Sequence, residues 1–135
     1  MAAYLADSSV LLDVLTADHA WAEWSVQRLE KALADGTVFI DPIVYAEISV
    51  GFSRIEELET SIEESGLVWS ELPREALFLA GKAFMKYRKS GEPKTAPLPD
   101  FLIGAHAAVS NLVLITRDPR RIRAHYPTVR LSCPP

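Results

Sequence analysis

The stretch Tyr4-Leu5-Ala6-Asp7-Ser8-Ser9-Val10-Leu11-Leu12-Asp13 constrains the fold more than any other part of the chain. A short apolar run halts on an aspartate, and two serines then lead into residues at helical spacing. Strands covered on both faces read as continuous apolar runs, and they occur in parallel sheets whose crossovers are helices. Sheets of this kind open their binding crevices at the carboxyl ends of strands, which places Asp7 where ligands dock.

The rest of the chain repeats the handover from strand to helix. The first helix is expected to run to about Thr16, with a break at Ala17-Asp18-His19. A second, about His19 to Ala34, carries an apolar stripe of Ala22, Val26, Leu29 and Leu33, with Trp24 nearly opposite. Thr37 to Ile40 reads as a strand that stops at Asp41-Pro42, and helices are expected over about Ile43 to Phe52 and on to about Ser65. Leu67 to Ser70 reads as a strand and Pro73 to about Lys89 as a long helix. Ser90 to Pro99 reads as a proline-rich loop, and Asp100 opens a helix to about Ser110. Leu112 to Ile115 is a strand ending in Thr116-Arg117-Asp118, Pro119 starts a basic helical turn, and Val129 to Leu131 can add a last strand. This alternation predicts an α/β, three-layer α/β/α domain over residues 1–135, with a mainly parallel sheet of about four or five strands.

Composition sets outer bounds. A chain of 135 residues, 49% hydrophobic and 24% charged, suits one globular domain with a real core. No apolar run approaches the roughly 18 residues that span a bilayer, so the expectation is a cytoplasmic protein with no membrane partner. The single cysteine, Cys133, excludes an internal disulfide scaffold and reads as an inert tail thiol. The net charge of −4 is unevenly spread: residues 1–81 hold 15 acids against 4 Lys or Arg, and residues 82–135 hold 10 Lys or Arg against 3 acids. An acidic protein with that asymmetry can still present a basic surface.

Four carboxylates stand out: Asp7, Glu47, Asp100 and Asp118. Taken singly, each aspartate is as well explained structurally as functionally: Asp7 and Asp118 as helix caps, and Asp100 as a favourable charge at a helix start. Glu47 is different, because its helical neighbours Ile43, Val44, Val50 and Gly51 put it on the face that should enter the core. A buried carboxylate needs a cation, a proton or strong donors. Two carboxylates about 4 Å apart repel by about 4 kcal/mol at an effective dielectric near 20, so a shared crevice calls for a compensating charge. Hard oxygen ligands without clustered His or Cys select Mg²⁺ or Mn²⁺ over zinc. The histidines His19, His106 and His125 form no ligand motif and read as structural or solvated.

With these residues in place, the sequence resembles the PIN-domain ribonucleases, and among them the VapC-type toxins of bacterial toxin and antitoxin pairs. Leu-Ala-Asp7-Ser-Ser9-Val-Leu-Leu-Asp is similar to that family's first motif and Tyr45-Ala46-Glu47-Ile48 to its second. Leu98-Pro-Asp100-Phe-Leu-Ile-Gly-Ala-His-Ala resembles the third, and Ile115-Thr116-Arg117-Asp118 the last. Three features depart from the pattern: Asp41 before Pro42, Gly104 and His106 in place of commoner small residues, and a long loop before Asp100.

The resemblance implies a metal-dependent endoribonuclease. Asp7 and Asp100 would be direct ligands of Mg²⁺ or Mn²⁺, Glu47 and Asp118 ligands directly or through water, and Ser9 and Thr116 supports. RNA contacts would come from Arg117, Arg120, Arg121, Arg123, Lys89 and Lys94, since nucleic-acid affinity rests largely on basic side chains; a solvated basic face explains them equally. Trp21 and Trp24 read as a surface for a partner or as residues covered by a neighbouring helix. The resemblance further implies a small antitoxin and a homodimer. A PIN nuclease of RNA processing, a Mg²⁺-binding signalling domain and a non-catalytic binding module remain as alternatives.

Overall fold

The apolar run at the start of the chain becomes the central strand. The structure, a computed structural model, describes residues 2–15 and 20–135. Among them β1 (Ala2–Ala6) lies between β2 (Gly36–Ile40) and β4 (Val113–Ile115), with β3 (Val68–Trp69) and β5 (Leu131–Ser132) at the edges. The order is β3-β2-β1-β4-β5, and every pairing is parallel. Leu5 pairs with Phe39 on one side and Leu114 on the other, and Leu5, Val38, Ile40 and Leu114 are all fully buried. Burying a side chain of that size contributes about 1.5–3 kcal/mol. At the first rung Ala2 pairs with Gly36, where a Cβ would stand 1.9 Å from the Ala2 carbonyl oxygen, so only glycine admits that approach.

Seven helices flank the sheet among the described residues: α1 (Ser8–Leu15), α2 (Ala22–Asp35), α3 (Pro42–Ile48), α4 (Ile55–Glu64), α5 (Arg74–Lys89), α6 (Leu98–Val109) and α7 (Arg120–His125). The sheet grows from β1 towards β2 and β3 in one direction and towards β4 and β5 in the other. Chain order therefore reverses at the junction of β1 and β4. Crevices open at such switch points, beyond the carboxyl ends of the strands. Asp7 and Thr116 follow β1 and β4 there, and the Asp7 amide donates to the Ile115 carbonyl at 2.9 Å, which ties the two strand ends together.

Several boundaries differ from expectation for local reasons. The helix after Pro42 ends at Ile48 and continues only as a single 3-10 turn, Ser49–Gly51, leaving Val50 exposed instead of on a core face. The helix expected to open at Asp100 begins at Leu98, because the prolines at 97 and 99 fit its cap and first turn. The loop before it is correspondingly shorter, and Asp100 sits in the first turn. The last strand falls at Leu131–Ser132, after Val129. In α2 the buried positions are Ser25 and Ala32, whereas Val26, Leu29 and Leu33 line an apolar groove shared with α1 and α4. The expected helix end at Thr16, the break over Ala17-Asp18-His19 and the reading of His19 lie outside the described residues. Among the described residues no helix is long and apolar enough to cross a membrane.

Candidate active site

Asp7 is held before any ligand arrives. The hydroxyls of Ser9 and Thr116 both donate to its Oδ2, each at 2.8 Å. Thr116 is buried at the end of β4, and its Oγ1 in turn accepts the Asp118 amide at 3.1 Å. Ser9 Oγ accepts the Arg117 amide at 3.4 Å. Two residues expected as supports thus join the first and last motifs around one carboxylate. Burial raises the Asp7 pKa above the ordinary carboxylate range; the two hydroxyl bonds pull it back, and the charge of Asp100 pushes it up again.

Glu47 reaches this region from α3. Ser8, buried at the start of α1, donates to Glu47 Oε1 at 2.8 Å. The Glu47 pKa is also raised, first by burial and then by the charges of Asp7, Asp100 and Asp41, with the Ser8 bond opposing. Asp100, in the first turn of α6, pairs with Arg121 Nη1 at 2.5 Å. Asp118 is exposed, and no side-chain cap closes α7, so the helix-cap reading fails for Asp118. Asp7, Ser9, Asp100, Thr116, Asp118 and Arg121 line one cavity of about 300 Å³, while Glu47 stands beside it behind Ser8.

The donor set suits a hard divalent cation in kind: all-oxygen, half-buried and mutually repelling. The carboxylates converge without closing into a finished coordination shell. Among the described residues no group of three Asp, Glu, His or Cys side chains stands close enough to hold an ion together. Three of the four acids instead hold a partner supplied by the chain, Ser9 and Thr116 for Asp7, Ser8 for Glu47 and Arg121 for Asp100.

The basic residues separate into groups. Arg121 enters the cavity, and Arg120 lines an adjoining one. Arg117 turns away: its Nε lies 3.0 Å from buried Asp13 Oδ2, an ion pair without an aligned hydrogen bond, and its guanidinium sits 5.5 Å from the Trp21 ring centre. Ser25 Oγ donates to the same Asp13 oxygen at 2.9 Å. Arg123 Nη2 points to Cys133 Sγ at 3.4 Å. Lys94 Nζ folds back on its own loop, donating to the carbonyl oxygens of Ser90 and Glu92. Lys89 lines a separate depression with Phe84 and Arg88. Trp24 packs partly against the core and meets Trp21 edge to face at 6.1 Å.

Sequence reasoning missed three groups. Ser8 was passed over as one of two serines, although its place one residue after Asp7 aims it at α3. Asp13 is an acid among Leu11, Leu12 and Val14, a pattern that signals a buried partner. Asp41 and His106 were noted as separate oddities, yet they touch: His106 Nδ1 lies 2.9 Å from Asp41 Oδ2, and both are fully buried. Gly104 is explained as well, because a Cβ there would stand 2.5 Å from the ring of Tyr126.

A parallel sheet with acids gathered at its switch point defines a class of protein, one whose ligand crevice lies over the strand ends and is lined by carboxylates. The family model described as PIN domain matches residues 4–125. The chain therefore belongs to the PIN domain family, and its fold is that of a nuclease. Solved structures agree on the fold. VapBC2 from Rickettsia felis bound to a DNA fragment from its promoter superposes with a TM-score of 0.75 at 20% identity, covering 98% of this chain and 99% of that one. VapBC-1 from nontypeable Haemophilus influenzae gives 0.73 at 19% identity, covering 97% of each chain. A toxin-antitoxin complex from Klebsiella pneumoniae gives 0.65 at 24%, covering 93% and 94%. No curated protein sequence matches the chain.

Proposed function

We propose that this chain is a metal-dependent endoribonuclease toxin, acting in the cytoplasm and inhibited by a small antitoxin. The observation that carries the reading is the convergence of Asp7, Asp100 and Asp118 on one cavity with Glu47 beside it, near enough that neighbouring carboxylate charges add to burial in raising the pKa of Asp7 and of Glu47. Such repulsion at the mouth of a parallel sheet is relieved by a divalent cation.

In this reading Asp7 and Asp100 hold Mg²⁺ or Mn²⁺ directly, and Glu47 and Asp118 do so directly or through water. A divalent ion bound there supplies a water of lowered pKa and neutralises charge on the phosphate and leaving oxygen. Ser9 and Thr116 keep the Asp7 carboxylate in one rotamer. Arg121, already in the cavity, meets the charge of the RNA phosphate when Asp100 turns to the metal, and Arg120 extends that contact along the backbone. Arg117, Arg123, Lys89 and Lys94 belong to the wider basic surface, further from the chemistry.

The VapBC and toxin-antitoxin complexes among the structural neighbours support an antitoxin partner. The apolar groove formed by Leu11, Val14, Val26, Leu29, Phe52 and Ile62 offers a partner a docking site against the first helices, and Trp21 and Trp24, which meet edge to face on another side of α2, are a separate candidate surface. A homodimer completes the proposed assembly.

The test is cleavage of a mixed RNA pool by purified, partner-free protein with Mg²⁺, with Mn²⁺ and with chelator, beside Asp100→Ala. Cutting is expected only with metal, and the substitution should lower its rate by at least about a hundredfold, as expected when a group acting on the transition state is removed. Equal cutting by Asp100→Ala would remove this site from the mechanism.

A further inference from the structure

Beside the carboxylate cavity lies a second of about 350 Å³, and the two share Asp118 and Arg121 as a common wall. Its other lining includes His125, Arg120, Thr95 and Pro93. We infer that this second cavity is a nucleobase subsite, taking the base of a nucleotide next to the scissile phosphate, with His125 as its stacking platform. The inference rests on the ribonuclease reading and adds to it where one base of the substrate goes.

The walls are preformed. Tyr87 is buried, donates through its hydroxyl to the Pro93 carbonyl at 2.7 Å, and accepts the Ala96 amide at 2.8 Å, so one side chain fixes both ends of the loop edge. Ser90 Oγ donates to the Tyr87 carbonyl at 2.7 Å and accepts the Glu92 amide at 3.2 Å, while Lys94 Nζ closes onto Ser90 and Glu92. A loop whose own polar groups are satisfied costs little further ordering when a ligand binds. This accounts for Lys94, which works as a loop brace.

The opposite wall is aromatic. The His125 ring leans on Phe101 at 4.8 Å between centres and meets Tyr87 edge-on at 5.5 Å. It is held from behind and only half-buried, with part of the ring on the cavity wall. Single-stranded RNA is recognised by bases that leave the stack and lie on His, aromatic or guanidinium planes, with hydrogen bonds to their edges. Here the imidazole and the Arg120 guanidinium supply the planes, and Thr95 a hydroxyl for an edge. The shared wall puts a phosphate at the carboxylates and a base in the subsite within one nucleotide of each other.

The experiment titrates the intact protein, in chelator, with mixed-sequence ribotrinucleotides and with the same backbone lacking the central base. Affinity is measured together with the His125 ring resonances by NMR, assigned through His125→Phe; fully buried His106 serves as an internal control. The base-bearing trinucleotide should shift the His125 resonances and bind His125→Ala roughly tenfold more weakly, with His125→Phe restoring most of the affinity because stacking survives. The abasic backbone should bind all three proteins alike. No binding, equal binding of both oligonucleotides, or unchanged affinity in His125→Ala would overturn the subsite. Cleavage by the wild-type protein, measured separately with Mg²⁺, reports on the ribonuclease reading, so the two can fail independently.

Discussion

Two carboxylate clusters sit a few residues apart along the same elements and have opposite fates. At the end of β2, Asp41 Oδ1 caps α3 by accepting the Val44 amide at 2.9 Å, and Oδ2 meets His106 Nδ1 at 2.9 Å. On the other side of the ring, His106 Nε2 stands 3.3 Å from Ser70 Oγ. Both carboxylate oxygens of Asp41 and both ring nitrogens of His106 have partners within the chain, and the two residues are sealed from solvent. Beyond the ends of β1 and β4, Asp7 and Asp100 face an open cavity with Glu47 beside it, and their partners are hydroxyls and one guanidinium. Both clusters start from an aspartate at a strand end; the closed one holds a single carboxylate answered by an imidazole and a backbone amide, whereas the open one brings several carboxylates near one another. A cluster compensated by the chain joins α3 to α6 and serves the architecture, whereas one left short of positive charge is prepared for something that binds.

The comparison breaks first if the closed cluster turns out not to matter. His106→Ala leaves Asp41 buried without its imidazole partner, and removing one member of a buried pair costs about 3–5 kcal/mol. Urea unfolding should show that loss as a lower midpoint with an unchanged slope. The double variant Asp41→Ser, His106→Ala removes the stranded charge and should recover part of the loss. A cost below about 1 kcal/mol for His106→Ala would mean that Asp41 finds other compensation, and the contrast between the clusters would fall.

Local signals explain why one cluster was readable in the sequence and the other was not. Asp7 interrupts an apolar run and Asp118 follows another, so strand ends announced both, although Asp118 proved exposed and uncapping. Glu47 is half-buried, and the argument from its neighbours holds only in part: Val50 and Gly51, expected on a core face, are exposed, Val50 by 81%, because the helix stops at Ile48. Val44 and Ile48 are the buried neighbours that matter. Asp41 and His106 lie 65 positions apart, and neither has a helical or strand neighbour that points to the other. Gly104 likewise became intelligible only once Tyr126 was seen lying against it. Periodicity reports which face of an element is covered and is silent on which distant element covers it. The parallel sheet was legible for that reason, and the polar pairs across it were not.

The open cluster makes a prediction of opposite sign. Asp7 and Glu47 have folded-state pKa values raised above those of the unfolded chain. The native state then binds more protons, so in chelator stability should fall as pH rises from about 4, the unfolded carboxylate value, through the raised folded values. Asp7→Asn keeps an oxygen to accept the Ser9 and Thr116 hydroxyls and removes the charge. It should stabilise the metal-free protein at neutral pH by on the order of 1 kcal/mol, roughly 3–5 °C in Tm for a chain of this size. The same substitution should abolish the rise in Tm that saturating Mn²⁺ gives the wild type, since ligand binding to the native state is what produces that rise. Destabilisation by Asp7→Asn in chelator would show that the aspartate is structural, like Asp41.

Arg121 provides the finest test, because it is the one basic side chain that half-closes the open cluster. Its pair with Asp100 is partly exposed, with side chains 39% and 33% accessible, so its contribution to stability should stay within about 1 kcal/mol. Its effect on cation binding is the sharper readout. The guanidinium occupies the Asp100 oxygen that a metal would need, so Arg121→Ala should tighten Mn²⁺ binding severalfold in calorimetric titrations. The same variant should weaken RNA binding and reduce its salt dependence by about one phosphate contact. Opposite signs for metal and RNA are what a counter-charge on loan predicts: the arginine answers Asp100 in the absence of a cation and the phosphate in its presence. If Mn²⁺ affinity falls with the substitution, Arg121 positions Asp100 as His106 positions Asp41, and the open cluster is closer in kind to the closed one than its exposure suggests.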